Sequence, residues 1–524
     1  MKTSHLAALL AAALAAAGLA GCGSPSSSGT AVVEGKSFTM AMSGDPGSLD
    51  PLASPAGSNM QLARFAYDSI VAIQPDGVIV PQLASAWTVQ PNSLTFEIRN
   101  DVTCSDGTPF TAQTVVRNIA AVADPKAGSA VLGVYLPAGA SATASGSTVT
   151  VALSTPSPFA LNSLALFPMV CDSGLADRAS LQKRSAGTGP YVLREAVAGD
   201  HYVYDVRKDY RWGPGGATTA TTGMPVQVTV KVIANETTAA NELLSGSTNA
   251  ATVVGPDVKR LEAAKLESNT LPVAIGTQWY NEGQDHLTGD PAVRMALTRA
   301  LDLAALRQAL TSGTGTAPTQ LSVPPPTACT GDSISAVLPT TDVAVAKAAL
   351  DQAGWVAGSD GIRSRNGTRL ALIFGYGSLL GSGGSAAAEL AVAAWKGIGV
   401  DVTLRGMSQT DLLNTLYSTR DWDIVWVAPN LSTPELFMPF VFGSPPPAGQ
   451  NVAGIQNAQY AAHRATALEK TGPASCPDWL AAETALVAAA DVVPFANSVA
   501  RTFAKGATFD SAGIIVPTSV RMLG

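Results

Sequence analysis

The sequence is poor in charged residues, and this scarcity argues against a nucleic acid partner. Only 14% of the 524 residues are charged, and 32 Lys and Arg face 39 Asp and Glu, for a formal net charge of −7. The basic residues stand singly or in pairs such as Lys183-Arg184, whereas neutralising phosphates requires clustered cations. We therefore expect no binding to nucleic acid.

Histidine and cysteine are also scarce, which limits metal, redox and catalytic chemistry. Three of the four histidines, His201, His286 and His463, are far apart in the sequence, and no two of the five cysteines have C-x-x-C spacing. The patterns G-x-S-x-G and H-E-x-x-H are absent as well. The sequence therefore indicates neither an enzyme nor a metal site, and it implies no cofactor.

Apolar residues, in contrast, make up 46% of the chain, and 524 residues are too many for one hydrophobic core. Apolar and polar residues alternate over 94–99 and 147–153, as they do in strands with one buried face. The valine-rich segment 226–233 is typical of a central strand. Residues 290–310 have the pattern of a single long helix with Pro near its start. Beyond them strands and helices alternate, which predicts an α/β lobe with partly parallel strands.

The N-terminus has the features of a lipoprotein leader. Leu6 to Ala20 form an apolar run of 15 residues, shorter than the ~20 that span a bilayer. The next segment, LAGC at 19–22, resembles a bacterial lipobox, in which the cysteine sulfur accepts the lipid. We predict a signal peptide with lipobox over residues 1–22 and a flexible tether over 23–36. Lipidated Cys22 would anchor the protein on the outer face of the cytoplasmic membrane; a cleaved signal with an incidental cysteine is the alternative.

Six further segments match motifs that occur together, and in this order, in one protein family. They are SGDPGSLDPL, residues 81–116 with DGTPFTA, residues 187–213 with GTGPYVL and DYRWG, DPAVRMALTRALD, AKAALDQAGW and VVPFANSV. The chain thereby resembles the extracytoplasmic solute-binding proteins of family 5, which feed ABC importers of the peptide and nickel type. The resemblance implies an α/β clamshell of the periplasmic-binding-protein type, with hinge strands between two lobes. Lobe I would comprise 37–277 and 496–524, and lobe II 278–495.

The lobes implied by this resemblance suggest how the remaining cysteines pair. Outside the cytoplasm, an even set of four cysteines can form disulfides, and four cysteines allow three connectivities. We expect Cys104–Cys171 and Cys329–Cys476, because each of these pairs falls within one lobe.

The resemblance also implies a function. The protein would be the lipid-anchored, monomeric binding component of an importer, closing its two lobes on a solute and presenting the solute to permease subunits. Oligopeptides or peptide-like ligands are the leading expectation, because an extended peptide backbone can pair with strands of the cleft. The alternatives are a glycan, a metal chelate or another polar small molecule as ligand, or a sensory lipoprotein that signals rather than transports.

One segment departs from the family pattern. Peptide-binding members commonly hold the peptide ammonium with an Asp that follows a Trp, and the corresponding segment here is 422–437. Depending on the alignment, Pro429 or Ser432 occupies that Asp position. Glu435 is the only carboxylate between Trp426 and Phe437. The family's usual partner for a free amino terminus is therefore missing at that position.

Candidate ligand contacts come from three places: a turn in lobe I, the first crossing between the lobes, and the segment around Trp426. They are Ser48, Asp50, Trp279, Tyr280, Asn281, Trp426, Val427, Ala428, Pro429, Asn430 and Ser432. The aromatic residues could stack on a ligand or belong to the core, and Asp50 could simply form a turn before Pro51. Arg294 or Arg405 could hold a ligand carboxylate, with a salt bridge inside the protein as the alternative.

Overall fold

A computed structural model describes residues 31–127, 129–255, 257–511 and 513–524. The predicted signal peptide and the predicted lipidation at Cys22 lie outside these described residues. Within them, no helix is both long enough and apolar enough to cross a membrane.

The described residues form 21 strands and 14 α-helices. The strands are β1 Ser37–Met42, β2 Val71–Ile73, β3 Ile79–Pro81, β4 Ala84–Gln90, β5 Ser93–Ile98, β6 Ser141–Ser145, β7 Thr148–Ala152, β8 Tyr191–Val197, β9 His201–Val206, β10 Gln227–Val232, β11 Ala250–Val253, β12 Glu267–Tyr280, β13 Val356–Ala357, β14 Arg363–Arg365, β15 Thr368–Arg369, β16 Ala371–Gly377, β17 Asp401–Met407, β18 Ile424–Trp426, β19 Val492–Ala504, β20 Ala507–Thr508 and β21 Arg521–Met522. The helices are α1 Gly57–Ala66, α2 Ala112–Ala123, α3 Ala160–Leu166, α4 Asp172–Ala176, α5 Glu236–Ser245, α6 Asp257–Ala263, α7 Pro291–Arg299, α8 Leu303–Thr311, α9 Val343–Gln352, α10 Gly381–Gly397, α11 Gln409–Asn414, α12 Pro434–Val441, α13 Ala458–Leu468 and α14 Cys476–Ala488.

A ten-stranded mixed sheet runs through the molecule in the order β17-β16-β18-β12-β19-β11-β1-β10-β9-β8. Its two central strands are long, with 14 residues in β12 and 13 in β19. They pair antiparallel from Glu267 opposite Ala504 to Trp279 opposite Val492. In the part of the sheet beyond β12, β16 is parallel to both β17 and β18. The partly parallel α/β lobe predicted from the sequence is therefore confirmed.

The two ends of the sheet have separate hydrophobic cores. One core, which includes Phe38 and Trp212, takes its residues from 38–250 and 504–522. A second core, which includes Phe374 and Trp395, takes its residues from 280–496. We call the elements around the first core lobe I and those around the second lobe II. The fold is thus the expected two-lobe α/β architecture with β12 and β19 passing between the lobes, while the exact lobe boundaries stay a prediction.

The predicted helix over 290–310 is wrong as a single helix, because the structure divides it into α7 and α8. The first begins as expected, with the Asp290 side chain accepting the Ala292 N–H and Pro291 in its first turn. The second begins at Asp302, whose side chain accepts the Ala305 N–H at 2.9 Å. A side-chain acceptor at an N-cap satisfies a backbone donor that a continuous helix would bond itself, and so favours the break.

Both expected disulfides are present. Cys104–Cys171 closes a separation of 67 residues within lobe I, and Cys329–Cys476 closes 147 residues within lobe II. The second disulfide fixes the proline-rich loop that follows α8 to the first turn of α14.

Candidate functional site

The two predicted tryptophans lie on the paired strands β12 and β18 and are buried in two clusters of lobe II, Trp426 with Phe374 and Trp279 with Phe437. Trp279 is 3% exposed, donates its indole N–H to the Val427 carbonyl at 2.7 Å and stacks on Phe437. Trp426 is 2% exposed, donates to the Gln278 side chain at 3.0 Å and packs between two phenylalanine rings. Both indole donors are therefore satisfied within the protein.

Tyr280 and Asn281 are buried completely at the end of β12. The Tyr280 hydroxyl bonds the side chains of Gln278 and Thr298 at 2.6 and 2.9 Å. The Asn281 amide donates to the Trp422 carbonyl and accepts the Gly283 N–H. These side chains hold the crossing strand in lobe II, and their contact with a ligand stays a prediction.

The segment after β18 is more accessible. Val427, Ala428, Pro429 and Ser432 are partly buried and Asn430 is exposed. The Asn430 side chain nevertheless bonds both the N–H and the carbonyl of Ala274 on β12, at 2.8 and 3.1 Å. This pair of bonds fixes the segment to the crossing strand, so its backbone position depends on the hinge region.

The lobe I candidates, Ser48 and Asp50, bond to other residues of lobe I. The buried Asp50 carboxylate accepts the Leu52 N–H and forms an ion pair with Arg178 at 2.6 Å. The Ser48 hydroxyl accepts a bond from Gln182 at 2.8 Å. In the described ranges, no hydrogen bond or ion pair joins these two residues to the lobe II candidates. The predicted residues of the two lobes thus make no direct polar contact there, and their contribution to one site stays a prediction.

The two arginine candidates are paired inside lobe II. Arg294 is buried, with its guanidinium 3.0 Å from Asp491 and 3.3 Å from Glu282. Burial and the neighbouring Asp491 raise the pKa of Glu282. Arg405 forms an exposed ion pair with Asp421 at 2.7 Å. Within the described ranges, no group of three or more His, Cys, Asp or Glu side chains is placed to hold a metal ion.

A cavity that none of the predicted residues lines is the stronger candidate site. It has a volume of about 410 Å³ and lies between the C-terminal end of α1, the β2–β3 hairpin and the segment that leads to β21. Lobe II contributes Pro326 of its proline-rich loop, which also approaches the hairpin at Gly77. Much of the wall is apolar, with Ile73, Leu166 and Ile514 among its residues.

One charged group of this cavity, Asp68, is saturated by protein donors. Its buried carboxylate accepts bonds from four side chains at 2.6 to 3.1 Å, and these are Gln82, Thr188, Tyr210 and Trp212. Burial raises the pKa of Asp68, an effect that the bonds from Thr188, Tyr210 and Trp212 and the nearby Arg207 oppose. Such complete bonding is typical of a structural carboxylate.

A second charged group of the wall, Arg64, is incompletely bonded. One guanidinium nitrogen donates to the Ala165 carbonyl at 3.2 Å, while the buried Nε has no hydrogen-bond partner in the described residues. Burial lowers the pKa of the Arg64 guanidinium, and Tyr135 and Asp68 act in the opposite direction. The sequence analysis did not single out either charged residue. The signal that could have revealed them is their four-residue spacing in an otherwise apolar stretch.

A second feature missed by the sequence analysis joins the lobes away from the hinge strands. Phe159 of lobe I is 1% exposed and belongs to a core cluster of lobe II with Trp279 and Phe437. Its N–H donates to the Glu435 carboxylate at 3.0 Å, and the Gly472 N–H donates to the Pro158 carbonyl at 2.9 Å. Burial raises the pKa of Glu435, and the hydrogen bonds from the Ser157 side chain and the Phe159 N–H oppose that rise. We call these contacts the 157–159 clasp.

Comparison with known proteins points to one family. Residues 78–445 match the profile of bacterial extracellular solute-binding proteins, family 5 Middle. Protein XP55 of Streptomyces lividans is 30% identical over 387 residues, which are 69% of this chain and 66% of that protein. The nickel-binding periplasmic protein of Escherichia coli is 29% identical over 382 residues, 68% of each chain. The periplasmic murein peptide-binding protein MppA of Escherichia coli is 26% identical over 299 residues, 52% of this chain and 54% of that protein.

A solved structure agrees with these matches over a longer part of the chain. A substrate-binding protein from Microbacterium hydrocarbonoxydans, complexed with 4-hydroxybenzoate hydrazide, superposes with a TM-score of 0.71 at 25% identity. The superposition covers 93% of this chain and 100% of that one. The matched sequence regions, by contrast, span about two thirds of the first two relatives and about half of the third.

Proposed function

The chain belongs to the bacterial extracellular solute-binding proteins of family 5, and from this premise we propose that it captures a peptide or peptide-like solute for an ABC importer. Its lobes, 37–277 with 496–524 and 278–495, would close on the solute and present it to permease subunits. The protein would act as a monomer, without a cofactor and without catalysing a reaction.

The observation that carries the proposal is the connection between the lobes. Each lobe has its own core, and β12 and β19 pass from one to the other through a single antiparallel pairing. A small change along two long strands can rotate one lobe against the other while both cores stay packed. Such a hinge lets a ligand that contacts both lobes stabilise the closed form.

Location outside the cytoplasm is part of the proposal. The two disulfides fit an oxidising compartment. The LAGC segment would attach the protein to the outer face of the cytoplasmic membrane through lipid on Cys22. Metabolic labelling with a radioactive fatty acid should label the wild-type protein but not Cys22→Ala, and label on the variant would contradict the anchor.

Among ligand classes, the arrangement of the aromatic residues favours a peptide over a glycan. The Trp279, Tyr280 and Trp426 side chains that could stack on sugar faces are buried in the core. The candidate cavity instead offers apolar walls and one incompletely bonded cation. A chelated metal or another polar small molecule is the second class to test, because relatives of this chain include a nickel-binding protein.

The test is recovery of the natural ligand. Native mass spectrometry of freshly purified protein should reveal a bound mass in the range of a short peptide, since a closed cleft can retain its ligand. After unfolding, washing and refolding, a pool of tripeptides should restore that bound form and reduce the radius of gyration measured by X-ray scattering. A verified empty protein that binds no peptide and scatters identically with and without the pool would refute the proposal.

A further inference from the structure

We propose that Arg64 is the anchoring residue of the 410 Å³ cavity and binds a carboxylate of the solute, specifically the C-terminal carboxylate of a short peptide. The inference rests on the proposed function and narrows its ligand class. It rests on the bonding of Arg64 and the composition of the cavity walls, and it accounts for the missing Asp in the segment after Trp426.

In the described residues, Arg64 lacks the ion pair that several other arginines of lobe I form. Arg99, Arg117 and Arg178 each form an ion pair with an aspartate at 2.6 to 2.8 Å. Arg64 has no such carboxylate in the described part of the chain; its one bond goes to the Ala165 carbonyl, and its buried Nε is unbonded. A guanidinium matches a carboxylate with two parallel N–H donors. Arg64 therefore has donor capacity that the protein leaves unused.

The environment of the Arg64 guanidinium favours the binding of an anion. The Arg64 side chain is partly exposed, but its Nε is enclosed, and enclosing a donor without a hydrogen-bond partner is unfavourable. The nearby carboxylate of Asp68 influences Arg64 through space, but its own hydrogen bonds go to four other side chains. The remaining charged groups of the wall are exposed Asp510 and Arg521, whose guanidinium donates to backbone carbonyls. A solute carboxylate is thus the missing partner.

The rest of the wall defines what the carboxylate is attached to. Ile73, Leu166 and Ile514 surround the cavity together with Pro326 from lobe II. The volume lies within the ~300–1,000 Å³ of small-molecule sites. A small body with apolar side chains and one terminal carboxylate fits these walls, and its contact with Pro326 would join both lobes.

The same assignment explains the departure at the position of the family's Asp. Pro429 or Ser432 stands there, so the amino terminus of a peptide has no carboxylate at that point. Recognition through Arg64 would use the opposite end of the peptide. The ligand is then selected for a free C-terminus, whereas its N-terminus need not be free.

The experiment uses two tripeptide pools that differ only at the C-terminus, one with free carboxylates and one amidated. Calorimetric titration of the tightest free-acid binder and its amide into emptied wild-type protein should show binding weakened by ~10-fold or more in the amide, as expected for loss of a charge-assisted pair. Arg64→Gln should weaken the free acid to a similar extent and leave the amide nearly unchanged. Arg64→Lys should restore part of the preference for the acid.

The matched control is Arg117→Gln, which removes one cation from an exposed ion pair of lobe I and should leave both affinities unchanged. Equal binding of acid and amide by the wild type would overturn the inference about Arg64 without touching the proposed function, and this comparison needs no variant to fold. Unchanged acid binding in a folded Arg64→Gln protein would overturn it as well. Failure of the wild type to bind either pool would refute the inference together with the peptide function.

Discussion

Replacing Phe159 with alanine should open the protein without unfolding it. The ring is carried by lobe I but is buried in the core of lobe II, where it is 1% exposed. Removing a buried phenylalanine side chain costs about 3–5 kcal/mol. Because the contact joins two lobes, this cost falls on the conformation in which the clasp is formed. The ratio of that conformation to an open one should fall by roughly a hundredfold to a few thousandfold.

The backbone bonds of the 157–159 clasp persist in this variant, so the change isolates the ring. The Phe159 N–H to Glu435 and the Gly472 N–H to Pro158 do not involve the side chain that is removed. In the ligand-free protein, the radius of gyration from X-ray scattering should increase, and the Gly472 amide should exchange its hydrogen faster than in wild type. Added ligand should reverse both changes in part, because closure then gains the ligand contacts.

Phe96→Ala is the matched control. Phe96 is fully buried in the core of lobe I, so its loss removes a similar apolar area within one lobe. It should lower the denaturant midpoint of lobe I and leave the radius of gyration unchanged. If Phe159→Ala has the scattering profile and Gly472 exchange rate of wild type, the ring does not hold the lobes together and the reasoning fails.

Three further perturbations test other contacts. Burial raises the pKa of Glu435, so the conformation that buries this carboxyl should be most favoured at and below about pH 4, where the carboxyl is neutral, and should lose this stabilisation as the pH rises through the raised pKa. X-ray scattering between pH 4 and 8 should therefore show opening at higher pH. Persistence of the same trend in Glu435→Gln would contradict the assignment. Removing the disulfide Cys329–Cys476, which closes 147 residues, should lower the free energy of unfolding by about 5 kcal/mol, because a longer closed loop restricts the unfolded chain more; the 67-residue Cys104–Cys171 should contribute about 4.4 kcal/mol. Urea titration of the two double-alanine variants compares these losses. An equal or reversed order would count against this dependence on loop length. Arg294→Gln should lower the free energy of unfolding by about 3–5 kcal/mol in the same assay, because it leaves Asp491 and Glu282 buried without their cation. A decrease under ~1 kcal/mol, the range of exposed ion pairs, would show that Arg294 does not stabilise these two carboxyl groups.

Local sequence patterns determined the class of the fold, the family and several element boundaries. Thr111 is the N-cap of α2, with its side-chain oxygen accepting the Thr114 N–H at 3.3 Å. The strand at 94–99 corresponds to β5, and the valine-rich strand to β10. Caps and alternation involve neighbours a few residues apart, so the sequence contains all the information that they need. The helix predicted over 290–310 failed at Asp302, where a local cap competes with an equally local helical pattern.

Only the tertiary structure decided which side chains are available to a ligand. Trp279 and Trp426 have the same sequence pattern whether they line a cleft or fill a core, and their burial depends on partners such as Phe437 and Phe374. Arg64 became a candidate because its enclosed Nε has no partner and no carboxylate pairs with it among the residues that the structure describes. The clasp brings Phe159 to Glu435 across 276 positions. Burial and charge pairing are set by residues distant in sequence, and periodicity carries no information about which of them will meet.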